Sequence, residues 1–163
     1  MIANLLSLSR VILGILFLFV ASNKFLALFV IIIGGLTDAF DGFFARKYGK
    51  TKHGSLIDAG ADRIFSLSII IGLVFHYQLS ILYGILMSTR DIVTGIILPL
   101  PYIFKKIKTF PKTSIFNKVT AWIITLSFIF IVLDFYSKLF IFIAVCTSIL
   151  VAIYSLKLYF PNS

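Results

Sequence analysis

The sequence predicts an all-α integral membrane protein of six transmembrane helices, and three observations predict it. Of 163 residues, 60% are hydrophobic and only 13% are charged, and the mean hydropathy is +1.09. That charged share is about half of what a soluble domain carries, and a soluble chain of this length has no interior large enough to hide so much apolar surface. The apolar residues fall into six runs, each near the length of about 20 residues that a bilayer crossing needs. The net charge of +9 is gathered in short connections between those runs, as basic residues are in membrane proteins. Together these exclude a soluble enzyme, a disordered chain and a nucleic-acid module.

The runs cover residues 4–22, 24–46, 55–77, 79–104, 115–133 and 138–158. The first is too long and too apolar, and lacks the small-residue cleavage site, for a removable signal peptide. The second ends in the acidic stretch Thr37-Asp38-Ala39-Phe40-Asp41-Gly42, and the third opens on Gly54-Ser55-Leu56-Ile57-Asp58 and continues to Asp62. The fourth contains Arg90-Asp91, and the sixth carries Cys146, the single cysteine. One thiol cannot form an intramolecular disulfide and leaves the redox compartment unspecified. With connections this short, residues 1–163 form one membrane-embedded domain without a soluble module or an internal repeat.

Orientation follows from the loops. Arg46, Lys47, Lys50 and Lys52 lie between runs two and three, and Lys105, Lys106, Lys108, Lys112 and Lys118 lie around the connection from run four to run five. Alternating spans put both clusters on one side, which the positive-inside rule makes cytoplasmic, along with both termini. Lys24, His76 and the Asp134/Lys138 pair fall on the other side, with Asp134 solvated at the interface. His53 and His76 read as loop residues without chemistry. The lysines from 105 to 112 also suit attraction to anionic lipid.

The acidic residues carry the chemistry. All six are Asp, and four lie between Asp38 and Asp62. At about 100° per residue, positions 38, 41, 42 and 45 share one helical stripe, and 54, 58 and 62 share another. Joined by a short loop, the two helices are expected to be antiparallel neighbours with these stripes facing. Carboxylates inside a membrane are costly and mark function by default. Their mutual repulsion calls for cations: Arg46 and Arg63 for part of the charge, and metal for the rest. Oxygen ligands without clustered His or Cys favour Mg²⁺, Mn²⁺ or Ca²⁺ over zinc. A two-metal site of this kind clamps a phosphodiester or diphosphate for in-line displacement. Gly42, Ala45 and Gly54 remove bulk beside the acids, which lets a phosphate group approach the helix backbones or lets helices pack closely.

These residues resemble the signature of the CDP-alcohol phosphatidyltransferase family, D-x2-D-G-x2-A-R followed by G-x3-D-x3-D. Asp38, Asp41, Gly42, Ala45, Arg46, Gly54, Asp58 and Asp62 match all eight marked positions, with a gap of seven residues between the halves. The resemblance implies transfer of a phosphatidyl group from a CDP-linked lipid, usually CDP-diacylglycerol, to an alcohol, with release of CMP. By the same likeness Asp38, Asp41, Asp58 and Asp62 hold two Mg²⁺ or Mn²⁺ ions, and Asp62 is the catalytic general base. Gly42, Ala45, Arg46 and Gly54 line the CDP pocket. The resemblance also implies a homodimer in the bilayer, and the basic loops lead us to expect the active site on the cytoplasmic face, with no nucleic-acid partner.

The acceptor is read from weaker features. Asn4-Leu5-Leu6-Ser7-Leu8-Ser9-Arg10 is similar to the opening of the phosphatidylglycerophosphate and cardiolipin synthase branch, as is Arg90-Asp91, while Asn117-Lys118-Val119-Thr120 matches only loosely. A phosphate-bearing acceptor needs cations, and Arg90, Lys112 and Lys118 are the candidates. Neighbours at i,i+1 do not face each other on a helix, which argues against Arg90 spending its charge on Asp91. Glycerol 3-phosphate is the expected acceptor, and phosphatidylglycerol (cardiolipin synthesis) the alternative. Two rivals from other classes are an intramembrane prenyltransferase, which would not release CMP, and a cation transporter, which would place its acids near mid-membrane.

Overall fold

The computed structural model describes residues 2–48, 52–97, 115–135 and 137–159, and the side chains of 7–38, 40, 60–95, 116–135 and 137–157. The described residues contain no strand. Among the described residues six α-helices follow one another: α1 (Ile2–Val20), α2 (Lys24–Tyr48), α3 (Lys52–His76), α4 (Ile81–Ile92), α5 (Ile115–Leu133) and α6 (Ser137–Tyr159). Two of them are long and apolar enough to cross a membrane by themselves, α5 over Phe116–Leu133 and α6 over Ser137–Lys157. The acids and basic ends dilute α2 and α3, so their membrane character shows instead in how the surface is arranged.

Large apolar side chains cover much of the outside, while several polar ones are buried among the helices. Leu8, Ile12, Phe19, Phe25, Phe29 and Phe142 are all exposed. Ser7, Arg10, Ser88, Asp91, Ser127 and Ser148 are buried between helices. Lipid is as apolar as leucine, so exposed Leu and Phe cost nothing there, and hydroxyls act as interhelical glue. Ser148 Oγ donates to the Met87 carbonyl at 2.8 Å and accepts from the Arg90 amide at 3.1 Å, tying α6 to α4. Ser127 Oγ donates to the Phe140 carbonyl at 3.1 Å and ties α5 to α6.

The turns have local causes. Asn23 Oδ1 accepts from the amides of Phe25 and Leu26 at 3.1 and 3.2 Å and caps the start of α2. The helix α5 stops where Asp134 turns left-handed (φ 55°). There the Phe135 amide reaches back to the Phe130 carbonyl and the Asp134 amide to Ile131, closing the last turn. Lys24 Nζ donates to the Leu133 carbonyl at 3.2 Å, so the start of α2 and the end of α5 share one end of the bundle. Asp38 lies 14 residues beyond Lys24 and Asp62 lies 14 before His76. At 1.5 Å per residue, each lies about 21 Å along its helix from that end.

The structure adds to two expectations. The second and third helices do not pack along each other throughout their described length. Among the described residues α1 packs along both of them, and they meet each other only sparsely. Close approach explains why: a Cβ on Gly14 of α1 would lie 3.1 Å from the Phe65 Cα of α3, so bare backbone lets α1 seat there. The fourth segment also departs from regularity. After Ile92 the helix widens into one π-helical turn, Val93–Ile97, and the rest of the expected span, 98–104, lies outside the described residues.

The core runs through the bundle from Phe17, Val30 and Ile31 to Phe65, Ile69, Leu73, Met87, Ile124 and Phe128. It lies between the Lys24 end and the aspartates, and it gives those side chains a rigid floor.

Candidate functional site

Both signature stripes lie on helix, since α2 runs to Tyr48 and α3 starts at Lys52. The spacing argument therefore acts on real helical faces. Of the four aspartates, Asp38 and Asp62 have described side chains, and they converge. Both are held by one guanidinium. Arg10 Nη1 donates to Asp38 Oδ1 at 3.1 Å and to Asp62 Oδ1 in a shorter contact. The Arg10 side chain is fully buried, whereas those of Asp38 and Asp62 are 47% and 42% exposed. The side chains of Asp41, Asp58, Gly42, Ala45, Arg46 and Gly54 lie outside the described ones, as does all of Lys112.

The described counter-charge comes from a residue that the sequence reading did not assign to the acids. The side chain of Arg46, one of the two expected neutralising cations, lies outside the described ones. Arg10, from α1, holds both carboxylates, and Arg63 Nη2 donates to Thr94 Oγ1 at 3.2 Å. Arg63 lies so close over the π-turn that a Cβ on Gly95 would fall 2.0 Å from its Nε. The missing side chain of Gly95 leaves the room that the guanidinium occupies. A lone arginine in an otherwise apolar first span was the available signal, because an intramembrane cation needs a partner.

A half-open cavity of about 80 Å³ sits over this trio. Its wall includes Arg10, Asp38 and Asp62 together with Gly34, Phe65, Ser66, Arg90 and Trp122. Gly34 matters for its shape, since a Cβ there would lie 2.0 Å from Phe65 Cζ. The tip of the Phe65 ring therefore rests against the α2 backbone at Gly34.

Arg90 reaches the cavity but is firmly held behind it. Its Nε donates to Asp91 Oδ1 at 3.0 Å, and its Nη1 to the Asn117 carbonyl at 3.2 Å. Asp91 is 5% exposed, and its Oδ2 accepts from Ser66 Oγ at 3.0 Å. The pairing of Arg90 with its neighbour Asp91 corrects the sequence expectation. The i,i+1 rule describes Cβ directions, and a side chain as long as arginine can bend back over its own helix. Lys118 is exposed on α5 and is not part of the cavity wall.

Chemically, the described site offers two accessible carboxylates, a buried guanidinium and a second guanidinium lining the same cavity. No three metal-ligating side chains come together among the described residues. The donor set nonetheless fits a hard divalent cation in kind, since carboxylate oxygens open to a polar cavity are what Mg²⁺ and Mn²⁺ take.

Comparison with known proteins decides the class. A CDP-diacylglycerol--glycerol-3-phosphate 3-phosphatidyltransferase from Aquifex aeolicus (strain VF5) is 34% identical over 131 residues, covering 77% of this chain and 72% of the relative. A CDP-diacylglycerol--inositol 3-phosphatidyltransferase from Candida albicans (strain SC5314 / ATCC MYA-2876) is 37% identical over 90 residues, covering 53% of this chain and 39% of the relative. The profile of the CDP-alcohol phosphatidyltransferases matches residues 1–150, which sets aside the transporter and prenyltransferase readings. The chain belongs to the CDP-alcohol phosphatidyltransferase family and is a membrane enzyme of that family.

Proposed function

We propose that this enzyme transfers the phosphatidyl group of CDP-diacylglycerol to the primary hydroxyl of glycerol 3-phosphate, forming phosphatidylglycerophosphate and CMP. The convergence of Asp38 and Asp62 on Arg10, with Arg90 lining the same cavity, is the observation that carries the reading. Carboxylates and a further cation around one cavity suit a metal-bound diphosphate beside an anionic acceptor. The activity for which the Aquifex relative is named supports the acceptor.

On this reading Asp38, Asp41, Asp58 and Asp62 would hold one or two Mg²⁺ or Mn²⁺ ions. When bound, they supply charge neutralisation on the diphosphate. Gly42, Ala45, Arg46 and Gly54 line the CDP moiety. Asp62 takes the acceptor's hydroxyl proton as the oxygen attacks the lipid-side phosphorus. The bond from that phosphorus to the bridging oxygen breaks, and CMP leaves with the electron pair. Arg90 grips the acceptor phosphate, with Lys112 and Lys118 drawing it in from the cytoplasmic side. All six helices cross the bilayer, with both termini and the aspartates on the basic, cytoplasmic side.

The test is direct. Purified protein with Mg²⁺ and CDP-diacylglycerol is offered glycerol 3-phosphate, phosphatidylglycerol or inositol, and CMP and lipid products are measured. Glycerol 3-phosphate should give CMP and phosphatidylglycerophosphate in equal amounts. Turnover with phosphatidylglycerol or inositol alone would replace the proposed acceptor.

A further inference from the structure

We propose that Arg10 is the resident counter-cation of the aspartate site. It gathers Asp38 and Asp62 in the metal-free protein, and an arriving divalent ion must compete with it for those carboxylates. The inference rests on the metal reading above and adds a residue outside the family signature.

The Arg10 side chain is fully buried in a bundle whose outside is rich in apolar side chains. A buried cation persists only with charged partners, and among the described residues Arg10 finds two, one on α2 and one on α3. Those helices touch each other sparsely among the described residues, while α1 packs on both. The contact through Arg10 therefore sets the spacing of the two carboxylates. Gly14, one helical turn further along α1, seats that helix against Phe65 and Ser68 of α3, with Cβ clearances of 3.1 and 3.2 Å. The reach of Arg10 is fixed by a packed backbone rather than by a mobile segment.

Charge arithmetic then gives the sign. Asp38, Asp62 and Arg10 sum to one negative charge, and without Arg10 to two. A divalent ion entering the trio meets a like charge already bonded to the oxygens it needs. Removing that charge must tighten the metal and loosen the metal-free protein. An arginine that merely helped α1 to pack would leave metal affinity unchanged, and one that preorganised the carboxylates for metal would weaken binding on removal.

The experiment uses full-length protein in detergent, stripped with EDTA. Mn²⁺ binding is followed by loss of the free-ion signal in electron paramagnetic resonance, for wild type, Arg10→Gln and Arg10→Lys. Arg10→Gln should lower the Mn²⁺ Kd about tenfold, within the usual range for two coupled ligands. It should also lower the melting midpoint in EDTA and enlarge the rise that Mn²⁺ produces. Arg10→Lys keeps the charge and should stay within about fivefold of wild type. An unchanged or raised Kd in Arg10→Gln overturns the inference. Should Arg10→Gln fail to fold, the wild type supplies the test through its ¹⁵N guanidinium resonances. The Arg10 signal should shift as Mg²⁺ is titrated in, and a signal that stays in place refutes competition. Absence of Mn²⁺ binding to the wild type would overturn the metal reading and this inference with it, whereas Mn²⁺ binding without competition overturns this inference alone.

Discussion

Replacing Asp91 tests how the acceptor side of the site is held. Asp91 is 5% exposed, and the Arg90 side chain is 13% exposed. Asp91→Ala removes the partner of Arg90 Nε and the acceptor of Ser66 Oγ, both bonded at 3.0 Å. Interhelical hydrogen bonds in membrane proteins average about 0.6 kcal/mol and reach about 1.7. Losing one partner of a buried ion pair costs about 3–5 kcal/mol, because a charge is left without compensation. The second effect outweighs the first, so Asp91→Ala should destabilise by about 3 kcal/mol or more. Asp91→Asn keeps an acceptor oxygen and should cost about half as much. Replacing both partners removes the stranded charge, so Arg90→Met/Asp91→Leu should recover most of the loss while abolishing turnover. The assay is reversible SDS denaturation in mixed micelles, read by circular dichroism and closed as a double-mutant cycle. A loss below about 1 kcal/mol for Asp91→Ala, or a double variant no more stable than that single one, would refute the argument.

Other perturbations read different parts of the structure. Asp62→Asn should reduce CMP release by about 10²–10⁴-fold, the range for removing a general base, while circular dichroism still shows a folded helical protein; undiminished turnover would remove Asp62 from the mechanism. Gly34→Ala drives a methyl into the Phe65 ring, with 2.0 Å available, and should cost about 1–3 kcal/mol by overpacking. Pairing it with Phe65→Leu should return part of that loss in the same denaturation assay. EDTA should stop CMP release and added Mg²⁺ restore it, as a coupled assay for CMP can show.

The helices could largely be read from hydrophobic run lengths. The runs 24–46 and 115–133 became Lys24–Tyr48 and Ile115–Leu133, because about 20 apolar residues in lipid have no alternative to helix. The Asp stripes were equally readable, since period and spacing survive in any regular helix. What periodicity does not encode is helix order within the bundle. A lipid-facing side chain and an interior one are both apolar, so nothing in α1 announced that it would lie against both α2 and α3. That omission hid Arg10, which the sequence reading quoted only as the end of an opening motif. Its isolation in an apolar span was the usable clue. The pairing of Arg90 with Asp91 was missed for another reason, since rules for helix neighbours describe where side chains start rather than how far they bend. The π-turn at Val93–Ile97 had no clear signal beyond Gly95, whose missing side chain makes room for Arg63.

The most direct measurement is anomalous diffraction from crystals of the enzyme soaked in Mn²⁺. The account predicts a Mn²⁺ peak between α2 and α3, within about 2.5 Å of carboxylate oxygens from the Asp38–Asp62 group. It also predicts that Arg10 is displaced from at least one of the two. Carboxylates directed away from one another, with no Mn²⁺ between them at saturating concentration, would contradict it.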